Sequence, residues 1–157
     1  MASYKGVSRY SDKGRGDLSA DDWNWLQTQR RQIEQQYSLG TTQNKFQRDT
    51  AKANYLRQKG DLTRSWAQRF ADFQAPYVRA GLLNSGLYAL GRDRFNLARN
   101  QQLGGLLADY EQTIGALRLS DEQLASVRRN ALDDIASAEA ARRASVAEEL
   151  RRARQGL

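Results

Sequence analysis

The chain has 157 residues, of which 25 are Lys or Arg and 18 are Asp or Glu, so its formal net charge is +7. It contains no Cys and no His, which excludes disulfides, Cys/His zinc sites, Cys–His nucleophiles and a Ser-His-Asp triad. Hydrophobic residues make up 39% of the chain, below the roughly 45–50% of a typical globular domain. We therefore expect helices that bury narrow stripes, and we expect neither an enzyme nor a metal or other cofactor.

Residues 1–18 are predicted to form an irregular basic arm that docks on a neighbour. Three glycines interrupt regular structure, and the arm carries a net charge of +2. Three apolar side chains spaced three residues apart are candidate anchors: Tyr4, Val7 and Tyr10. A flexible tail is the alternative interpretation. The arm lacks the apolar stretch of a secretory signal.

Residues 19–80 are predicted to form several helices. Ser19 and Asp22 have the spacing of a capping box, which indicates a helix start. Gly40 is expected to end this first helix. A second helix is expected to start at Thr41 or Thr42 and to end at Gly60. The stripe of the first helix follows steps of three and four residues: Trp23, Leu26, Arg30, Ile33 and Tyr37.

The remaining part of this region carries the most aromatic stripe of the chain: Leu62, Trp66, Phe70, Phe73 and Tyr77. Pro76 lies within it, so the helix is expected to kink or end near Gln74–Ala75. A loop follows at residues 81–86, where Gly81 can stop one helix and Asn84 or Ser85 can cap the next.

The second half of the chain is predicted to be helical as well. Residues 87–118 form a helix interrupted by glycines, and Gly104–Gly105 indicates either a kink or the close approach of another backbone. Residues 119–157 form an Ala/Arg/Glu-rich, coiled-coil-like helix that begins at Ser120. The predicted fold is therefore all-α, a helical hairpin or bundle of extended amphipathic helices, with no apolar run of the ~20 residues that span a membrane.

Stripes this narrow predict that the chain works as a homo-oligomer or docks on a larger particle. The apolar residues expected at the oligomer or partner interface are Trp23, Leu26, Ile33, Tyr37, Trp66, Phe70, Phe73, Leu82, Leu83, Val127 and Ile135.

The basic excess is central, because residues 41–118 carry a net charge of +6. Such a zone can contact the phosphates of DNA or an acidic protein, or simply face solvent. The residues expected to make phosphate contacts are Lys45, Arg48, Lys52, Lys59, Arg64 and Arg69.

The stretch around the loop has a recognisable arrangement. It consists of Arg79, Gly81, Leu82 and Asn84–Gly86, followed by a polar helix. This arrangement resembles that of small helical virion proteins of tailed bacteriophages. The resemblance covers roughly the C-terminal half of the chain. It implies a repeated, non-enzymatic subunit of a tail, neck or ejection apparatus, with other virion proteins as partners. A nucleic-acid-binding helical protein and a cytoplasmic coiled-coil scaffold or chaperone are the alternatives.

Overall fold

A computed structural model of the chain describes residues 14–156, so most of the predicted arm lies outside the described residues. Helix α1 is Ala20–Arg79 and helix α2 is Gly86–Arg154, with 60 and 69 residues. They pair antiparallel as a helical hairpin, and residues 14–156 contain no strand. The predicted all-α fold is confirmed. Neither helix has a stretch apolar enough to cross a membrane.

The predicted helix starts at Ser19 and at the end of the loop are confirmed by their caps. The Asp22 amide donates to Ser19 Oγ over 3.1 Å, and Ser19 Oγ donates to Asp22 Oδ2 over 2.9 Å. At the start of α2, the Tyr88 amide donates to Ser85 Oγ over 3.2 Å. Each serine therefore satisfies an amide that the helix itself leaves without a partner.

The predicted stop at Gly81 is also confirmed, and its geometry is that of a Schellman motif. Gly81 has a φ of 67°, the left-handed region that glycine adopts without strain. The Leu82 amide donates to the Tyr77 carbonyl over 2.8 Å, and the Gly81 amide donates to the Val78 carbonyl over 3.1 Å. These two bonds satisfy the carbonyls of the last turn of α1.

The predicted breaks at Gly40 and Gly60 are wrong, because α1 continues through both residues. Gly40 has a different role: a Cβ there would lie 2.8 Å from Leu124 Cδ1, so glycine lets α2 approach closely. Thr41, the predicted start of a second helix, lies inside α1. Its Oγ1 donates to the Tyr37 carbonyl over 3.0 Å, as a mid-helix threonine does.

Of the two outcomes expected near Gln74–Ala75, a helix end is not seen, because α1 includes Pro76 and continues to Arg79. A kink there stays a prediction. The predicted helix start at Ser120 is wrong, because Ser120 lies inside α2 and its Oγ accepts a hydrogen bond from Asn44 Nδ2 over 3.1 Å. Of the two readings of Gly104–Gly105, close approach is not seen, since a Cβ at either glycine would meet nothing within 4 Å.

The chain divides into two compact units. Unit 1 contains the described residues up to Thr42 together with those from Asp121 onward, and unit 2 is Gln43–Ser120. Each unit therefore contains one stretch of α1 and one stretch of α2, and the contacts within each unit differ in kind.

Candidate interaction surfaces

Unit 1 has a small apolar core between the two helices. Leu18, Trp23, Leu26 and Ile135 are buried, and Leu26 is fully enclosed. Ile33 packs against this cluster from the next turns of α1. The sequence stripe that begins at Trp23 therefore faces α2 of the same chain.

Arg143 holds the end of the N-terminal arm against α2. Its Nη2 donates to the Gly14 carbonyl over 2.7 Å and its Nη1 donates to the Arg15 carbonyl over 3.3 Å. Arg15 Nε donates in turn to the Leu18 carbonyl over 2.9 Å, which fixes the turn that buries Leu18. The part of the predicted arm that is described is thus docked within its own chain.

Glu139 lies between two arginines in the same region. Arg143 Nη2 donates to its Oε1 over 2.7 Å, and Arg30 also pairs with it from α1. The pKa of Glu139 lies below its ordinary value, chiefly because of the hydrogen bond from Arg143. Burial is the next-largest effect and opposes this shift, and the hydrogen bond from Arg30 adds to it. Arg30, predicted as the polar member of the stripe, is therefore an ion-pair residue.

A second ion pair links the helices further along unit 1. Arg128 forms a fork on Glu34, with Nη2 to Oε1 at 2.7 Å and Nε to Oε2 at 2.9 Å. The same guanidinium lies 5.0 Å from the centre of the Tyr37 ring. The pKa of Glu34 is lowered by this hydrogen bond, and the pKa of Arg128 is raised by it. Arg142 pairs with Asp22 and repeats the pattern near the helix start.

The interior of unit 2 is built mainly of aromatic rings. Trp66 meets Phe95 edge-on with ring centres 4.7 Å apart, and Phe73 stacks on Phe95 and on Tyr88. Tyr55 of α1 stacks on Tyr110 of α2, with ring centres 4.7 Å apart. Ring pairs in these geometries add stabilisation beyond the area that they bury.

Neutral polar pairs and one glycine complete this interior. Trp66 Nε1 donates to Gln102 Oε1 over 3.0 Å, which satisfies the indole. Closer to the turn, a Cβ at Gly91 would lie 2.7 Å from Phe73 Cζ, so glycine makes room for the ring. A shallow groove of about 430 Å³ opens beside Trp66, where Arg99 contributes the charged group of its wall.

The residues predicted at a partner interface fall into three groups. Four of them are buried within their own hairpin: Trp23, Leu26, Trp66 and Ile135. Four are half-buried: Ile33, Tyr37, Phe70 and Phe73. Leu82, Leu83 and Val127 are exposed. Contact of any of them with a second chain stays a prediction.

Exposed apolar side chains gather around the turn between α1 and α2. We call five of them the tip patch: Val78, Leu82, Leu83, Leu87 and Leu90. Leu87 is the most exposed of these, at 75%. Sequence reasoning selected only two members, because Leu87 and Leu90 look like part of an ordinary helix stripe until the face that α2 buries is known.

The predicted phosphate-contact residues all lie in unit 2, which contains twelve Lys and Arg against six Asp and Glu. Five of the six are exposed and Arg48 is half-buried. Lys45, Lys52 and Lys59 are seven residues apart, so they project from one side of α1. Among the described residues, no group of three or more acidic side chains is placed to hold a metal ion.

Comparison with protein-family models, with curated proteins and with solved structures gives no match.

Proposed function

We propose that this chain is a non-enzymatic structural subunit of a tailed-phage virion, used in repeated copies in the tail, neck or ejection apparatus. The observation that carries the proposal is the distribution of apolar side chains. Among the described residues, fourteen large hydrophobic side chains are exposed and six are buried. A hairpin that leaves this much apolar surface in water gains stability when other subunits cover it.

The resemblance around Arg79–Gly86 supports the phage setting. This stretch forms the turn of the hairpin, and the exposed leucines of the tip patch belong to it or follow it directly. The segment that carries the resemblance is therefore also rich in exposed apolar surface.

The phage assignment is tested by mass spectrometry of purified virions from the phage that encodes the chain. We expect its peptides in intact particles, at a copy number that is a multiple of the symmetry of one substructure. Particles that lack the chain, while infected cells contain it, would contradict a virion role.

The charge of unit 2 favours a second candidate, the binding of nucleic acid. We infer that Lys45, Lys52 and Lys59 would contact phosphates from one side of α1, with Arg64 and Arg69 further along. Each phosphate that a cation neutralises contributes about −0.9 to the slope of log K against log salt concentration.

A titration of duplex DNA at several salt concentrations tests this candidate. Lys45→Gln, Lys52→Gln and Lys59→Gln together should weaken binding and flatten the salt slope. The matched control removes three exposed arginines of unit 1: Arg31, Arg129 and Arg154. Equal losses in both triple variants would indicate attraction to net charge alone, and no retention of the parent protein would exclude the candidate.

A further inference from the structure

The turn between α1 and α2 lies in a segment without charge. Ala80–Gly91 contains twelve consecutive residues with no Asp, Glu, Lys or Arg, in a chain where 27% of the residues are charged. Arginines border it on both sides, Arg79 at the end of α1 and Arg92 and Arg94 in α2. Asp93 lies between the last two and pairs with Arg92 over 3.5 Å, so the border keeps a net positive charge of two. The tip patch is thus an apolar surface with a basic border.

The main chain of this turn already satisfies much of its own hydrogen bonding. The amides of Gly81 and Leu82 donate to carbonyls of α1, and the Ser85 amide donates to the Leu82 carbonyl over 2.9 Å. Ser85 Oγ then accepts from the first turn of α2. Each of these bonds lowers the cost of moving the turn from water to the interfacial region of a bilayer, where its other main-chain groups keep their contact with water.

From these observations we propose that the tip patch inserts into the surface of an anionic lipid bilayer. Leucines would enter the acyl region, and arginine stems would lie along it with their guanidinium groups among the phosphates. A second copy fits less well, because a tip-to-tip contact brings Arg79, Arg92 and Arg94 of both copies together. This inference does not depend on the assignment to a virion.

The test uses the full chain and vesicles of phosphatidylcholine, with and without phosphatidylglycerol. Because the chain contains no Cys, Leu83→Cys accepts a single environment-sensitive fluorophore. We expect its emission to shift to the blue on anionic vesicles and to stay unchanged on neutral vesicles. Leu119→Cys, another exposed position about 50 Å along α2 from Gly86 at 1.5 Å per residue, should report water throughout.

Substitutions separate insertion from attraction by charge. Leu87→Asp adds an acid to the first turn of α2, where it suits the helix dipole, so the helix should remain folded. Co-sedimentation with anionic vesicles should fall at least tenfold for Leu87→Asp and change less than twofold for the charge-matched Leu119→Asp. Arg79→Gln with Arg94→Gln should reduce binding severalfold. Circular dichroism checks the fold of each variant.

Two results would overturn the proposal. Equal losses for Leu87→Asp and Leu119→Asp, without a shift at position 83, would mean that basic residues adsorb to the vesicles without insertion. Failure of the parent chain to bind anionic vesicles at low salt would mean that the tip patch does not bind lipid, and a protein surface would then be its expected partner. Either result leaves the virion test unaffected, because that test measures the composition of particles.

Discussion

The two units join the same two helices by different means. In unit 1, arginines on α2 reach carboxylates on α1, as Arg128 does with Glu34, around a small apolar core. In unit 2, rings from both helices interlock, as Trp66 and Phe95 do, and the charges lie outside with a net value of +6. The contrast teaches that the stability of unit 1 should depend on salt and on acidification, whereas unit 2 is held together mainly by aromatic rings and neutral hydrogen bonds.

The largest expected effect is in the aromatic interior. Trp66→Ala removes the edge-on contact with Phe95 and leaves Gln102 without its indole donor, so we expect a loss of about 3–5 kcal/mol in the free energy of unfolding. Urea denaturation measures it. Trp25→Ala is the control, since Trp25 is 44% exposed and contacts Arg142 as a surface cation–π pair. Equal losses of unfolding free energy in the two variants would contradict the claim that the buried Trp66 stabilises the fold more than the exposed Trp25.

An intermediate effect is expected at the ion-pair centre of unit 1. Glu139→Gln leaves Arg30 and Arg143 without their carboxylate, at a cost of about 1 kcal/mol, because both arginines are partly exposed and solvent screens them. Glu148→Gln, which disturbs exposed pairs within α2, should cost less. Thermal unfolding followed by circular dichroism compares them, and a larger loss for Glu148→Gln would contradict the assignment.

The pH dependence should distinguish the two units. Glu34 and Glu139 have lowered pKa values in the folded chain, so their stabilisation is present above the unfolded value of about 4.3. It is lost as the pH falls through the lower, folded values. Hydrogen exchange, corrected for intrinsic rates, should show protection falling in unit 1 before unit 2 on acidification. Loss of protection at the same pH in both units would contradict the proposed difference between the ion-paired unit 1 and the aromatic unit 2.

The smallest expected effects are at glycines. Gly104→Ala should stabilise the hairpin by about 0.5–1 kcal/mol, because the new methyl group meets nothing and α2 gains helix propensity. Gly91→Ala should destabilise it, because the methyl group would clash with the rigid ring of Phe73. Melting temperatures measure both, and a gain in each variant would mean that the ring can move aside.

What could be predicted from the sequence was mostly local. The helix start at Ser19 and the stop at Gly81 depend on neighbouring residues, so the pattern identified them. Gly40 and Ser120 also look like boundaries, but partners far along the chain decide their roles, Leu124 and Asn44 respectively. One sequence contains no sign of such pairings.

The same limit applies to the candidate surfaces. The apolar spacing identified Trp23 and Trp66 as members of buried stripes, because a helix period marks one face whatever covers it. It could not tell that α2 of the same chain covers them. Leu87 was not selected, because its exposure depends on which side of α2 contacts α1, and the sequence alone does not give that side.

The central claim is that this hairpin is one subunit of an assembly, and sedimentation velocity of the full chain tests it most directly. We predict that the folded protein at micromolar concentrations sediments as oligomers whose proportion rises with concentration. The same experiment on Leu119→Asp would show whether this exposed apolar residue takes part in the association. A single, well-folded monomeric species at every concentration would contradict the claim.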